Sequence, residues 1–211
     1  MVSDPVFRCV KNASFVGMVA AFALVASAAA VASPNAVIED SMAVLTEKLD
    51  GRKAELAADR KSLYALIDEI LLPRFDRKFA AQLVLARHWR SASEAQRSRF
   101  IEAFYQALLR RYADGILEFD PNKIKILPFR GDVSKPRSKV RSTVALEDGS
   151  SVAVDYDLVK RESGWLVYNV VIEGVSYVTN FRAELDAEIR STSLDAVIAR
   201  LEEEAGMSAD E

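Results

Sequence analysis

Apolar side chains recur at two different spacings in this chain, and the points where the spacing changes divide it into three parts. From residue 35 to residue 118 the spacing is that of a helix. No glycine occurs between Gly51 and Gly115, and the sole interior proline, Pro73, marks a break between helices. Ser93 followed three residues later by Gln96 predicts a capping box. Phe100, Phe104, Leu108 and Tyr112 then recur every four residues, with Ile101, Tyr105 and Leu109 alongside. That is a wide apolar stripe on one long helix that ends near Gly115.

The period changes at Pro121. Ile124 and Ile126 alternate with Lys123 and Lys125, as in a strand with one wet face. Residues 139–146 continue the alternation with Val140, Val144 and Leu146. Asp148-Gly149 is a tight-turn signal leading into Val152, Val154, Tyr156 and Leu158. Gly164 precedes a last strand, Trp165 to Ile172, which is apolar on both faces except at Asn169. These segments predict a curved antiparallel sheet of about four strands. Residues 131–138 form the long connecting loop. Helical spacing returns with Val178, Phe181, Leu185 and Ile189, then with Leu194, Val197, Ile198 and Leu201. Helices, strands, then helices again define an α+β fold, the helices covering one face of the sheet.

The N-terminus reads differently. Arg8 and Lys11 precede an uncharged apolar run from Phe15 to Ala30, which ends in Ala30-Val31-Ala32 before Ser33 and Pro34. That pattern predicts a secretory signal peptide, residues 1–32, cut after Ala32. The run is shorter than the ~20 apolar residues of a spanning helix, the alternative being an uncleaved anchor. Residues 33–204 then form one α+β domain, and 205–211 a polar, disordered tail. Arg8 and Lys11 are the basic side chains removed from a total of 28, and Asp4 the acidic one from 31, leaving 26 against 30. That mixed balance gives no basic face for nucleic acid. Cys9 is the one cysteine, so the exported chain holds no disulfide and no thiolate metal site.

Catalytic constellations are hard to assemble. His88 is the single histidine, and no positioned partner for acid–base work is visible beside it. Asp155 and Asp157, two apart on one strand, share a face and are the better candidates for a small cavity enzyme. Val154, Tyr156 and Leu158 take the opposite face, which puts the aspartates in water. No glycine-rich phosphate loop follows any strand. The remaining signal is apolar. Phe100, Phe104, Leu108 and Tyr112 would face Val144, Val154, Tyr156 and Val167 across the sheet, either as ordinary core or as the wall of a cavity.

Two segments resemble a known family. One is Val84-Leu85-Ala86-Arg87-His88-Trp89-Arg90 with Ala92-Ser93, Gln96-Arg97 and Phe100. The other runs from Trp165 through Asn169 and Glu173-Gly174-Val175-Ser176 to Asn180-Phe181-Arg182. Both are similar to the MlaC, or toluene-tolerance, family of periplasmic phospholipid-binding proteins, and the likeness extends over nearly all of residues 35–204. The family usually has glycine at Ala86, aspartate at Asn169 and tyrosine at Phe181, and phenylalanine three residues after the arginine, where Leu185 stands.

The resemblance implies a monomeric, non-enzymatic carrier in the periplasm that holds phospholipid acyl chains in an apolar cavity and needs no cofactor or metal. Phe100, Phe104, Leu108, Tyr112, Val144, Val154, Tyr156, Val167, Val178 and Phe181 are its expected cavity residues. The implied partners are an outer-membrane lipoprotein–porin complex and an inner-membrane ABC transporter with its substrate-binding component, the whole maintaining outer-membrane lipid asymmetry. A ligand-free adaptor is the further alternative. The Glu173–Ser176 corner is expected to turn the chain at Gly174 and to cap the next helix through Ser176, with a direct head-group role as the other reading.

Overall fold

In the computed structural model, which describes residues 33–207, the glycine-poor half folds into six α-helices. These are α1 (Pro34–Leu49), α2 (Lys53–Ala58), α3 (Arg60–Leu71), α4 (Arg77–Leu85), α5 (Arg87–Ser91) and α6 (Glu94–Leu117). The signal-peptide reading falls outside the described residues. Pro73 sits in a 3-10 turn, Leu72–Arg74, that ends α3 where a proline would clash with a continuing helix. Helix α6 starts at the capping box: Ser93 Oγ accepts from Gln96 N at 3.1 Å, and Gln96 Oε1 accepts from Ser93 N at 2.9 Å.

The sheet has five antiparallel strands in sequential order, one more than the periodicity predicts. They are β1 (Ile124–Ile126), β2 (Arg137–Ala145), β3 (Ser151–Arg161), β4 (Gly164–Ile172) and β5 (Val175–Ser176). The extra strand is only two residues long, below what alternation can reveal. Glu173 and Gly174, with φ of 48° and 81°, make a two-residue turn that lays Val175 opposite Ile172. So the Glu-Gly corner is first a hairpin and only then a helix start. Ser176 Oγ accepts from Thr179 N at 3.2 Å and caps α7 (Tyr177–Ser191), which is followed by α8 (Leu194–Glu204). Ala205, placed by composition in the polar tail, is fully buried, and its N–H donates to Leu201 O at 2.8 Å. Residues 208–211 lie outside the described residues.

Strand β4 carries a bulge. Asp157 pairs with Asn169 and Leu158 with Val167, which leaves Tyr168 as an extra residue that bends the strand.

Packing produces three separate apolar clusters where a domain usually has one contiguous core. The first joins α4, α6, α7 and α8 through Phe100, Ala103, Leu185 and Ile198. A second joins α1, α3 and α6 through Leu49, Leu63, Ile70 and Leu109. The third sets Ile38 of α1 against Val140, Leu158 and Trp165 of the sheet. Helix α6 belongs to both helical clusters, so it is the beam on which they hang.

The two segments that carry the family likeness meet in space. Arg182 Nε donates to Leu83 O at 2.7 Å, closing the end of α4. Arg87 and His88 both bond Asp186 on α7. Between α4 and α5, Ala86 holds φ 46° and ψ −110°, a region where a Cβ is strained. Ala86→Gly removes that Cβ. It is expected to stabilise the fold by about 1 kcal/mol, net of the entropy glycine adds to the unfolded chain. Urea unfolding checks this: the midpoint rises with an unchanged slope.

Candidate functional site: an apolar cavity

Between the three clusters lies a cavity of about 420 Å³. Its wall draws on all of them: Val84, Phe104 and Phe181 from the first, Ile67 and Leu109 from the second, Phe75, Tyr156 and Val167 from the third. The volume falls within the ~300–1,000 Å³ of small-molecule pockets, and the wall is nearly all hydrocarbon and aromatic ring.

Seven of the ten residues proposed from the sequence stand on this wall: Phe104, Leu108, Tyr112, Tyr156, Val167, Val178 and Phe181. Phe100, Val144 and Val154 do not. Phe100 is 0% exposed within the first cluster, stacked on Phe104 at 5.3 Å between centroids. A stripe repeating every four residues drifts about 40° per step around a helix of ~3.6 residues per turn. By that drift Phe100 faces α4 and α8 while Tyr112 faces the cavity and solvent, at 45% exposure. Val144 and Val154 sit on the half of the β2–β3 hairpin nearer its Asp148-Gly149 turn, and the wall takes its strand residues mainly from β4. There Tyr168, Asn169, Val170 and Ile172 contribute, and Ile67 and Leu71 do so from α3. The missed contribution of β4 had a signal: a strand apolar on both faces is covered on both sides.

Two polar side chains at the wall, Tyr105 and Asn169, are already bonded. Tyr105 donates its hydroxyl to Asp68 Oδ1 at 2.8 Å, and burial together with that carboxylate pushes its phenol well above the usual tyrosine range. Burial likewise raises Tyr156. Asn169 Oδ1 accepts from Val178 N at 3.0 Å and Ser176 Oγ at 3.2 Å, while its Nδ2 donates to Asp157 Oδ2 at 2.8 Å. Two of the first free N–H groups of α7, those of Val178 and Thr179, are thus taken by Asn169 and Ser176, which gives the corner a structural role.

The acid candidates lie elsewhere. Lys139 Nζ is 3.2 Å from Asp155 and 3.3 Å from Asp157, and neither aspartate is on the cavity wall. Partial burial opposes the Lys139 charge, but its two carboxylate partners outweigh this and raise its pKa. His88 Nε2 is 2.7 Å from Asp186 Oδ1, a carboxylate also held by Arg87 and Arg190. Hydrogen bonds from Arg87 and then His88 hold the Asp186 carboxyl below its usual range. The cluster ties α5 to α7 and does not line the cavity.

The chain matches the family described as "MlaC protein" over residues 39–203. It is 27% identical over 166 residues to the toluene tolerance protein ttg2D of Pseudomonas putida, covering 78% of this chain and 76% of that protein. It is 22% identical over 188 residues to the intermembrane phospholipid transport system binding protein MlaC of Haemophilus influenzae, covering 88% of each. Among solved structures, the phospholipid-binding protein of Ralstonia solanacearum, in complex with a phospholipid, superposes with a TM-score of 0.75 at 24% identity. That likeness covers 85% of this chain and 100% of the other, and establishes the shared fold.

Two substitutions check the geometry. Leu108→Trp fills the cavity and is expected to weaken binding of an environment-sensitive apolar dye by about tenfold or more, whereas Val154→Trp leaves it nearly unchanged; fluorescence titration reads both. Asn169→Asp sets two carboxylates side by side, destabilising the fold by about 1–3 kcal/mol at pH 7. The introduced acid has its folded pKa raised, so stability lost at neutral pH is regained as pH falls toward 4, a dependence that thermal melts across pH measure.

Proposed function

This chain belongs to the MlaC protein family, and from that premise we propose that it is a carrier that holds a glycerophospholipid with its acyl chains in the α6–β4 cavity. The observation that carries the reading is the cavity itself, walled by three clusters and lined almost wholly by apolar side chains. A fatty tail asks for no more than such a wall. A space of about 420 Å³ takes on the order of fifteen methylenes, and burying each at ~0.8 kcal/mol hides on the order of 10 kcal/mol of unfavourable hydration. A bilayer offers nearly the same gain, so loading and unloading are close to neutral and need no covalent step.

The carrier works in the periplasm, reached through the signal sequence of residues 1–32. It acts as a monomer, without cofactor, between an outer-membrane lipoprotein–porin complex and an inner-membrane ABC transporter with its substrate-binding component, and so sustains outer-membrane lipid asymmetry. The names of the relatives support this reading, one being the binding protein of an intermembrane phospholipid transport system. The wall residues Phe104, Leu108, Tyr112, Tyr156, Val167, Val178 and Phe181 hold the tails, with the β4 face opposite α6. Asp155 and Asp157, engaged by Lys139 away from the cavity, take no part.

Protein purified without detergent and extracted into organic solvent is expected to release phospholipid at close to one molecule per chain, identified by mass spectrometry. Protein repeatedly free of lipid after export would sink the proposal and favour a ligand-free adaptor.

A further inference from the structure

One wall residue carries a charge. Arg74 ends the 3-10 turn after α3, and its side chain reaches the cavity while remaining half-buried. Its place along the cavity follows from the antiparallel passage of α3 and α6. Arg60 pairs with Asp114, and Asp68 accepts from Tyr105, so the end of α3 lies beside the first half of α6. Arg77, three residues on, pairs with Glu102 and sits 4.9 Å from the Tyr105 ring centroid. Arg74 therefore stands at the Tyr105 end. The half-exposed Tyr112 and its edge-on partner Tyr177, 5.9 Å away, stand at the other.

Its electrostatic situation differs from that of its neighbours. Arg77 has Glu102 at 2.8 Å and Arg161 has Asp76 at 2.7 Å. Arg74 makes one side-chain hydrogen bond, from Nη1 to Ile70 O at 2.7 Å, and among the described residues it has no carboxylate partner. A guanidinium has five donors in a planar fork. A cation set in an apolar wall is costly unless an anion meets it. The group that fits that fork bidentately, and that a glycerophospholipid brings with it, is a phosphate.

We propose that Arg74 binds the phosphate of the cargo lipid, orienting the molecule with its head group at the Tyr105 end and its tails along α6 toward Tyr112. The inference rests on the carrier reading and adds to it a chemical preference: a phosphate-bearing lipid is held over a neutral lipid with the same tails. Because Arg74 is half-buried, a phosphate bound there keeps contact with solvent.

The test offers delipidated protein a mixture of dioleoylphosphatidylglycerol and dioleoylglycerol and counts both by mass spectrometry. The wild-type chain is expected to retain the phospholipid by roughly tenfold or more. Arg74→Met brings the ratio near unity, and Arg74→Lys keeps part of the preference. A preference fully retained by Arg74→Met, or absent from the wild type while both lipids bind, overturns the inference alone. If the wild-type chain takes up neither lipid, the carrier reading falls and this one with it. A second measurement needs no variant. Phenylglyoxal labelling of Arg74, followed by peptide mass spectrometry, is expected to be blocked by the phospholipid and not by dioleoylglycerol or inorganic phosphate. Equal protection by dioleoylglycerol, or by inorganic phosphate, overturns the assignment to a lipid head group.

Discussion

Helix α6 is held from two sides at once, and the rest of the molecule is arranged around that fact. Phe100, Ala103 and Ala107 fasten it to α4 and α8, while Leu109 and Ala113 fasten it to α1 and α3. With both flanks anchored, the helix cannot settle onto the sheet, whose own cluster closes against α1 and Phe75. A space between packed regions is ordinarily destabilising, since its lining forgoes dispersion contacts. Here it persists because three clusters each stabilise their own part of the chain. An apolar guest that completes those contacts is the occupant such a wall favours.

The polar groups around the cavity serve to keep its shape. Asn169 is the clearest instance: its carbonyl oxygen holds the start of α7 and its amide holds Asp157 on the neighbouring strand. One buried side chain thereby fixes the angle between α7 and β4, the two elements that bring Phe181 and Val170 to the wall. Where the family usually has aspartate, this chain has the one isosteric group that can also donate. The paired Lys139–Asp155–Asp157 group and the Asp186 cluster act similarly as ties, between strands in one case and helices in the other. Arg74 differs from these groups in having no carboxylate partner among the described residues.

Much of this was legible beforehand, for a local reason. The capping box at Ser93, the stop at Pro73, the alternation through Val152 to Leu158 and the cap at Ser176 depend on a few adjacent residues and on backbone geometry. The structure carries each of them. The two-residue strand Val175–Ser176 was not legible, being shorter than one period of alternation. Ala86 was visible only as a departure from the family's glycine, and its positive φ supplies the physical content of that departure.

The sequence by itself determined an α+β chain, some of its helix and strand boundaries, and the apolar stripes that each element must cover. Only the tertiary structure decided which covered residues face protein and which face the cavity. Phe100 and Phe104 obey the same periodicity, yet one is sealed in a cluster and the other lines the wall. The reason is that burial and lining impose the same pattern along a helix. They separate only through where distant elements cease to touch, and that is a property of the packed whole.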